Sequence, residues 1–241
     1  MQHELTLEEF VLIAAILLEC TESVRKEIIS FYDTYGTKGI VSYATSRKRV
    51  SLRNPRKRVV LLYSLIDELF GSYQSKVKKL FSNSLKKLIK TETDFFGVEL
   101  DEEKLLKTKW GEDNLNWEQR LDNQIKQQKN KLKNKLKVAF IRQDYITDIM
   151  DEMLDDFNKF NKQLWSLFET EINAATSLAR VDILSELGFK KYQYYARLDE
   201  RTCGTCGAMH GTKFPISSFQ IGVTAPPMHP HCRCWVTNIR E

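Results

Sequence analysis

The residues able to do chemistry in this chain crowd into one short stretch. Four of its five cysteines and three of its four histidines lie between Cys203 and Cys234. Two cysteine pairs, Cys203/Cys206 and Cys232/Cys234, flank His210, His229 and His231. A Cys-x-x-Cys turn lets two thiolates face one ion from a single loop, and Gly204 and Gly207 ease the backbone around it. A second pair from a later strand completes a tetrahedral shell with no open position, which is the arrangement of a structural zinc. Two other readings of the thiols fit less well. Disulfides need an oxidising compartment, and no secretory leader is legible: the apolar run Phe10 to Leu18 is short and follows Glu4, Glu8 and Glu9. A redox pair should open a helix in a βαβ setting, whereas Gly207 and the strand-like Gly211-Thr212-Lys213-Phe214 follow here. The ligand set itself stays open. In an extended strand Cys232 and Cys234 point to opposite faces, so His229 rivals one member of the set Cys203, Cys206, Cys232, Cys234, with His210 and His231 weaker candidates.

Around these donors stand three ordered blocks: Asp199-Glu200-Arg201-Thr202-Cys203 with Cys206, His210-Gly211-Thr212-Lys213-Phe214-Pro215, and Ala225-Pro226-Pro227-Met228-His229-Pro230-His231-Cys232-Arg233-Cys234. Their order and spacing resemble the C-terminal signature of the phage Mu F-like head morphogenesis proteins, minor head proteins of tailed phages. The likeness reaches upstream to Leu167-Phe168-Glu169-Thr170-Glu171, where that family carries a Thr-Glu pair in a helix entering the domain. The resemblance implies a non-enzymatic minor head (minor capsid) protein of the virion. It would be made in the host cytoplasm and placed in the capsid interior at the portal vertex, with portal or major capsid protein as partner. In some members the family is associated with DNA packaging or delivery into the host, which implies double-stranded DNA nearby.

No Gly-rich phosphate loop or nucleophile elbow is present, and no small-molecule substrate is indicated. A zinc deaminase needs His-x-Glu before its cysteine pair; here His210 follows the pair, with Gly211 and Thr212 after it. Two alternatives remain: a zinc-stapled nucleic-acid-binding protein, which would need reading side chains on an exposed helix, and a treble-clef-like metal-dependent nuclease using His229 or His231.

The elements that must position this stretch are mostly helical. Thr6 to Glu9 reads as a capping box, and Ile13, Ala14, Leu17, Cys20, Val24, Ile28 and Phe31 form one stripe to about Tyr35. Pro55 suits a helix's first turn, and apolar spacing then runs to about Ile89 with a bend expected near Gly71. Residues 91–116 look irregular, anchored by Trp110 and Trp117. A Lys-rich helix follows, then an acidic one from Asp144 to Leu164 whose carboxylates should face solvent or pair with the lysines before them. A further helix should run from Leu164 to Leu187, and in it Thr170 and Glu171 would hydrogen-bond the terminal module. Alternation at Tyr192, Tyr194 and Ala196 marks the first strand; Phe214 and Trp235-Val236-Thr237 mark others. The expected fold class is therefore mainly α: a long helical N-terminal body, 1–188, followed by a small zinc-stapled α+β C-terminal module, 189–241.

The chain has 241 residues, 42% of them hydrophobic, with 37 basic against 32 acidic side chains and a net charge of +5. The balance is mild; the distribution matters more. Arg47, Lys48, Arg49, Arg53, Arg56, Lys57 and Arg58 cluster around Asn54-Pro55, and like charges so close repel unless an anion such as phosphate neutralises them. They are the sequence's candidate for sequence-independent DNA contact. No apolar run is long enough to span a membrane.

Overall fold

Helical periodicity is realised as helices longer than the sequence's breaks implied. The computed structural model of the chain describes residues 7–35, 55–142 and 144–239. Helices α1 (Leu7–Tyr35), α2 (Pro55–Phe96), α3 (Glu102–Lys107), α4 (Trp117–Arg142) and α5 (Ile146–Glu186) precede strand β1 (Lys191–Tyr195), the short helix α6 (Gly204–Met209), and strands β2 (Lys213–Pro215) and β3 (Trp235–Thr237). The protein is thus mainly helical with a small sheet near its C-terminal end. No described helix is long and apolar enough to cross a membrane.

The stripe expected in α1 is buried from Ile13 to Phe31, although Ala14 is exposed. Helix α2 begins at Pro55 as expected and then passes Gly71 unbroken. A mid-helix glycine costs about 1 kcal/mol relative to alanine, a penalty outweighed by its buried neighbours Phe70 and Tyr73. The helix also overruns Ile89 and ends at Phe96, because Glu92, expected in irregular chain, is buried against Arg180. The acidic and apolar segments on either side of Leu164 are likewise one helix, α5, of 41 residues. Leu164, Leu167 and Phe168 continue its buried stripe, so nothing there ends it.

The chain divides into two compact units. One is formed by described residues within 11–78 and 122–164. In it Phe70 meets Phe157 with ring centroids 6.1 Å apart, and the α4 lysines face acids: Lys131 and Lys135 reach Asp156 at 2.8 and 2.7 Å, while Lys133 and Lys129 reach Asp67 at 2.6 and 3.0 Å. The sign reversal between α4 and α5 is therefore internal pairing. Asp156 is itself buried, which corrects its expected solvent-facing placement: two lysines compensate its desolvation. Of the basic cluster, Arg47, Lys48, Arg49 and Arg53 lie outside the described residues. Arg56, Lys57 and Arg58 stand in the first turn of α2, and Arg58 is half-buried.

The other unit is formed mainly by 79–121 and 165–239. Phe81 packs on Phe168 at 4.4 Å and edge-on to Trp117 at 5.5 Å. Of the stretch 91–116 expected to be irregular, 102–107 is the helix α3 and 108–116 is a compact connection, closed by a bridge between Trp110 and Leu115 with Asn114 left-handed at φ 49°. Helix α5 stops at Gly188, whose φ of 82° suits glycine. The sheet is antiparallel in the order β2-β1-β3, with Tyr192 opposite Phe214 and Tyr194 opposite Val236. Tyr192, Val236 and Ala225 share a buried cluster with Val181 and Leu184 of α5, so the sheet and the helix have one core.

Candidate metal centre

The second buried cluster of this unit holds Tyr194 and Ala196 of the first strand segment together with Cys206, Cys232 and Cys234. Each donor arrives by a local reason. Cys203 caps α6, its Sγ accepting the Cys206 N–H at 3.4 Å. This corrects the sequence expectation: the Cys-x-x-Cys pair does open a helix. At six residues α6 is too short for an apolar period to announce it. His229 follows Pro226-Pro227, and Cys232 follows His231, which is left-handed at φ 59°. The N–H of Cys232 bonds the His229 carbonyl at 3.2 Å, folding the two donors toward each other.

The result is a five-donor patch. His229 Nε2 lies 3.3 Å from Cys203 Sγ and 3.5 Å from Cys206 Sγ, and the Cys206 and Cys232 sulfurs are 3.8 Å apart. Cys203, Cys206 and His229 form one group whose ligand atoms lie within 4.8 Å of one another, and Cys206, Cys232 and Cys234 form another. Cys206 belongs to both. Tetrahedral zinc, with Zn–S near 2.3 Å and Zn–N near 2.05 Å, needs S···S of about 3.8 Å and S···N of about 3.6 Å. The Cys206–Cys232 edge and the two His229–sulfur edges match those lengths, and the two donor groups meet at Cys206, so the residue types and these three edges fit such an ion. His210 is not among them: it takes the Ala196 N–H on Nδ1 at 3.1 Å and lies edge-on to Tyr195. His231 turns away as well, its Nδ1 on Glu169.

The electrostatics lower two of the thiols and raise the other two. The Cys232 thiol is brought down to about 5, chiefly by a hydrogen bond from Cys234, against its burial. The same bond, with burial, pushes Cys234 up, so Cys234 acts as a donor to its neighbour. Cys203 is lowered by the Cys206 N–H and side chain. Burial raises Cys206 to about 11 even though the Tyr194 hydroxyl donates to it at 3.3 Å. His229 is raised, first by its bond to the Pro230 carbonyl.

A supporting layer went unread in the sequence. Asn173 Nδ2 donates to the Cys232 carbonyl at 2.5 Å, and Glu169, held by Trp165 Nε1 at 2.9 Å, receives His231. Arg233 forks onto both oxygens of Asp199, at 2.6 and 2.5 Å, tying the first signature block to the last. Opposite charges at the two ends of the signature were the available clue to that pair. Asn173 and Glu169, four apart on α5, offered only their shared helix face. Glu171 was placed wrongly: it bonds Arg120 Nη1 at 2.7 Å and Trp110 Nε1 at 3.1 Å, and Thr170 returns to the Ser166 carbonyl. Glu171 therefore holds the 108–120 segment, while the Thr170 hydroxyl stays on its own helix.

No curated protein and no solved structure matches this chain. A family model described as phage Mu protein F like protein matches residues 111–237, a span that starts at the Trp110–Arg120 connection and closes with β3. It covers more than half of the 241 residues and every donor of the patch, and on that match the chain belongs to the phage Mu protein F like family.

Proposed function

We propose that the protein is a phage head morphogenesis component, a minor head protein whose C-terminal module is held shut by one zinc ion. The observation that carries this is the convergence of Cys203, Cys206, His229, Cys232 and Cys234 inside the family-matched span. Cys203, Cys206 and Cys232 are three of the ligands. His229 takes the fourth place, its Nε2 standing 3.3 and 3.5 Å from the Cys203 and Cys206 sulfurs, leaving Cys234 to hydrogen-bond Cys232. The ion's contribution is mechanical: it joins the α6 turn to the 229–234 segment, and structural zinc in small modules is worth about 10–16 kcal/mol at neutral pH. The thiolates and imidazole hold it, and Asn173 and Arg233 fix the segment that carries them. Portal or capsid protein is the partner this reading requires, with packaged double-stranded DNA as a sequence-independent neighbour of the 47–58 basic segment. The α4 lysines contribute less to that contact, since Asp67 and Asp156 neutralise several of them.

Metal analysis of the native protein tests the reading. One zinc per chain is expected, lost in Cys206→Ser and kept in Cys234→Ser, with chelation unfolding the module. A metal-free native protein, or retention of zinc by Cys206→Ser, would overturn the centre. Absence from virions and procapsids alike would overturn the head assignment.

A further inference from the structure

The three-stranded sheet buries only one of its faces. Tyr192, Tyr194 and Val236 enter the core, so their neighbours in register stand together on the opposite side: Lys191, Gln193 and Tyr195 of β1, Lys213 of β2, and Trp235 and Thr237 of β3. Tyr195 is 40% exposed, and its ring lies 4.8 Å from that of Trp235 at an interplanar angle of 33°, with His210 edge-on at 4.5 Å. The strands read KYQYY, KFP and WVT and contain no acid. Among the described residues neither Lys191 nor Lys213 forms an ion pair, in contrast to the lysines of α4. Beside Trp235 opens a cavity of about 370 Å³, lined also by Phe95, Phe96, Thr237 and Asn238 and, toward the core, by Val236, Leu184 and the Glu92–Arg180 ion pair, which neutralises the one acid there. Phe95 is 76% exposed at its edge.

An exposed tyrosine beside a half-buried tryptophan, two lysines with no ion pair among the described residues, and a neighbouring slot with amide and hydroxyl groups form a coherent set. We propose that this sheet face binds single-stranded nucleic acid. Bases stack on the Tyr195–Trp235 pair, one base enters the slot where Thr237 and Asn238 meet its polar edge, and Lys191 and Lys213 take phosphates. A duplex hides the base faces that such rings need, so the strand must be unpaired. A protein segment would have to bring carboxylates to both lysines, and nothing on the face itself asks for them in place of phosphate. The inference is carried by the sheet and stands apart from the head-assembly reading. It also differs in place and in strand type from the duplex contact assigned to the basic segment.

Fluorescence anisotropy of the full chain with a labelled oligothymidine, and with a blunt duplex of equal length, tests it at low salt. The single strand should bind more tightly than the duplex. Tyr195→Ala should weaken it by about 5- to 150-fold, the range for loss of one stacked base, while Tyr195→Phe keeps it. Changing both Lys191 and Lys213 to alanine should lower the slope of log K against log salt by about 1.4, two phosphates at 0.7 each. Circular dichroism and metal content matching the parent show that the variants are folded. The proposal is overturned by no binding to the oligothymidine, by equal binding in folded Tyr195→Ala, or by preference for the duplex. Binding that persists in Tyr195→Ala and disappears when Arg47, Lys48 and Arg49 become alanine also overturns it, as does capture of a polyglutamate peptide in place of the oligonucleotide.

Discussion

Replacing Arg120 by alanine strips a buried carboxylate of its cation. Glu171 is only 3% exposed and has two partners, the Arg120 guanidinium at 2.7 Å and the Trp110 indole at 3.1 Å. Breaking a buried pair from one side costs about 3–5 kcal/mol, because the remaining charge is left in low dielectric. The variant also loses the Arg120 fork on Asp113, at 2.9 and 2.6 Å, and the stacking of the guanidinium 3.9 Å above the Trp110 ring. Asp113 is half exposed, so its share is a few tenths of a kcal/mol. At about 2–4 °C per kcal/mol for a chain of this size, the melting temperature should fall by about 6–20 °C. The pH dependence identifies the cause. Burial already raises the Glu171 pKa, with Arg120 opposing it. Without Arg120 the value rises further, and a carboxylate whose folded pKa exceeds its unfolded one costs stability above the folded pKa and regains it as pH falls through that value. The Asp113 loss vanishes in the same direction, since its pKa is lowered by Arg120. Thermal melts at pH 7 and pH 5 should therefore show the larger deficit at pH 7, and adding Glu171→Gln to Arg120→Ala should recover part of it. A deficit below about 1 kcal/mol, or one equal at both pH values, would refute the reasoning, since either result means Glu171 is not an uncompensated charge.

Two further outcomes follow from the geometry. Asn173→Ala should leave the zinc stoichiometry intact but weaken retention by about 10- to 100-fold against a competing chelator, the usual effect of removing a group that orients a ligand; unchanged retention would show that the Cys232 carbonyl does not need it. Asp67 is lowered chiefly by its hydrogen bond from Lys133, with Lys129 adding to it. Its contribution is thus present above the unfolded carboxylate value near 4 and is lost as pH falls through the lower folded value. Asp67→Asn should cost at most about 1 kcal/mol at pH 7, given the exposure of the pair, and its acid unfolding curve should converge with the parent's once pH has fallen below the ordinary carboxylate range.

How much was legible in the sequence depends on the range of the interaction that decides each feature. Helix α1, the start of α4 at Trp117, the stop at Gly188 and the buried face Tyr192-Tyr194-Ala196 follow from neighbours a few residues apart, and periodicity found them. The run of α2 past Ile89 to Phe96 was hidden, because it rests on Glu92 meeting Arg180, 88 positions away. The continuity of α5 across Leu164 was hidden for the same reason: Phe168 closes on Phe81. The donor types of the metal centre were plain, but their geometry was not. Whether His229 or Cys234 lies nearer Cys203 depends on the turn at His231, which no pattern of residue types dictates. Glu171 stands out in the sequence by its place in the family signature but its partner does not, since a carboxylate on a helix does not announce which cation will find it.

A single turn of α5 is grasped from both sides: Glu169 and Asn173 hold the 231–232 segment, while Glu171 holds Trp110 and Arg120. Translation delivers these pieces in a fixed order. The ribosome releases the tryptophan and arginine first, the helix next, and residues 229–234 after it, the partners being 51 to 62 positions apart. The nascent polypeptide can therefore dock its earlier arm before residues 229–234 are made, and the donors of the cysteine cluster come together only after that arm is in place.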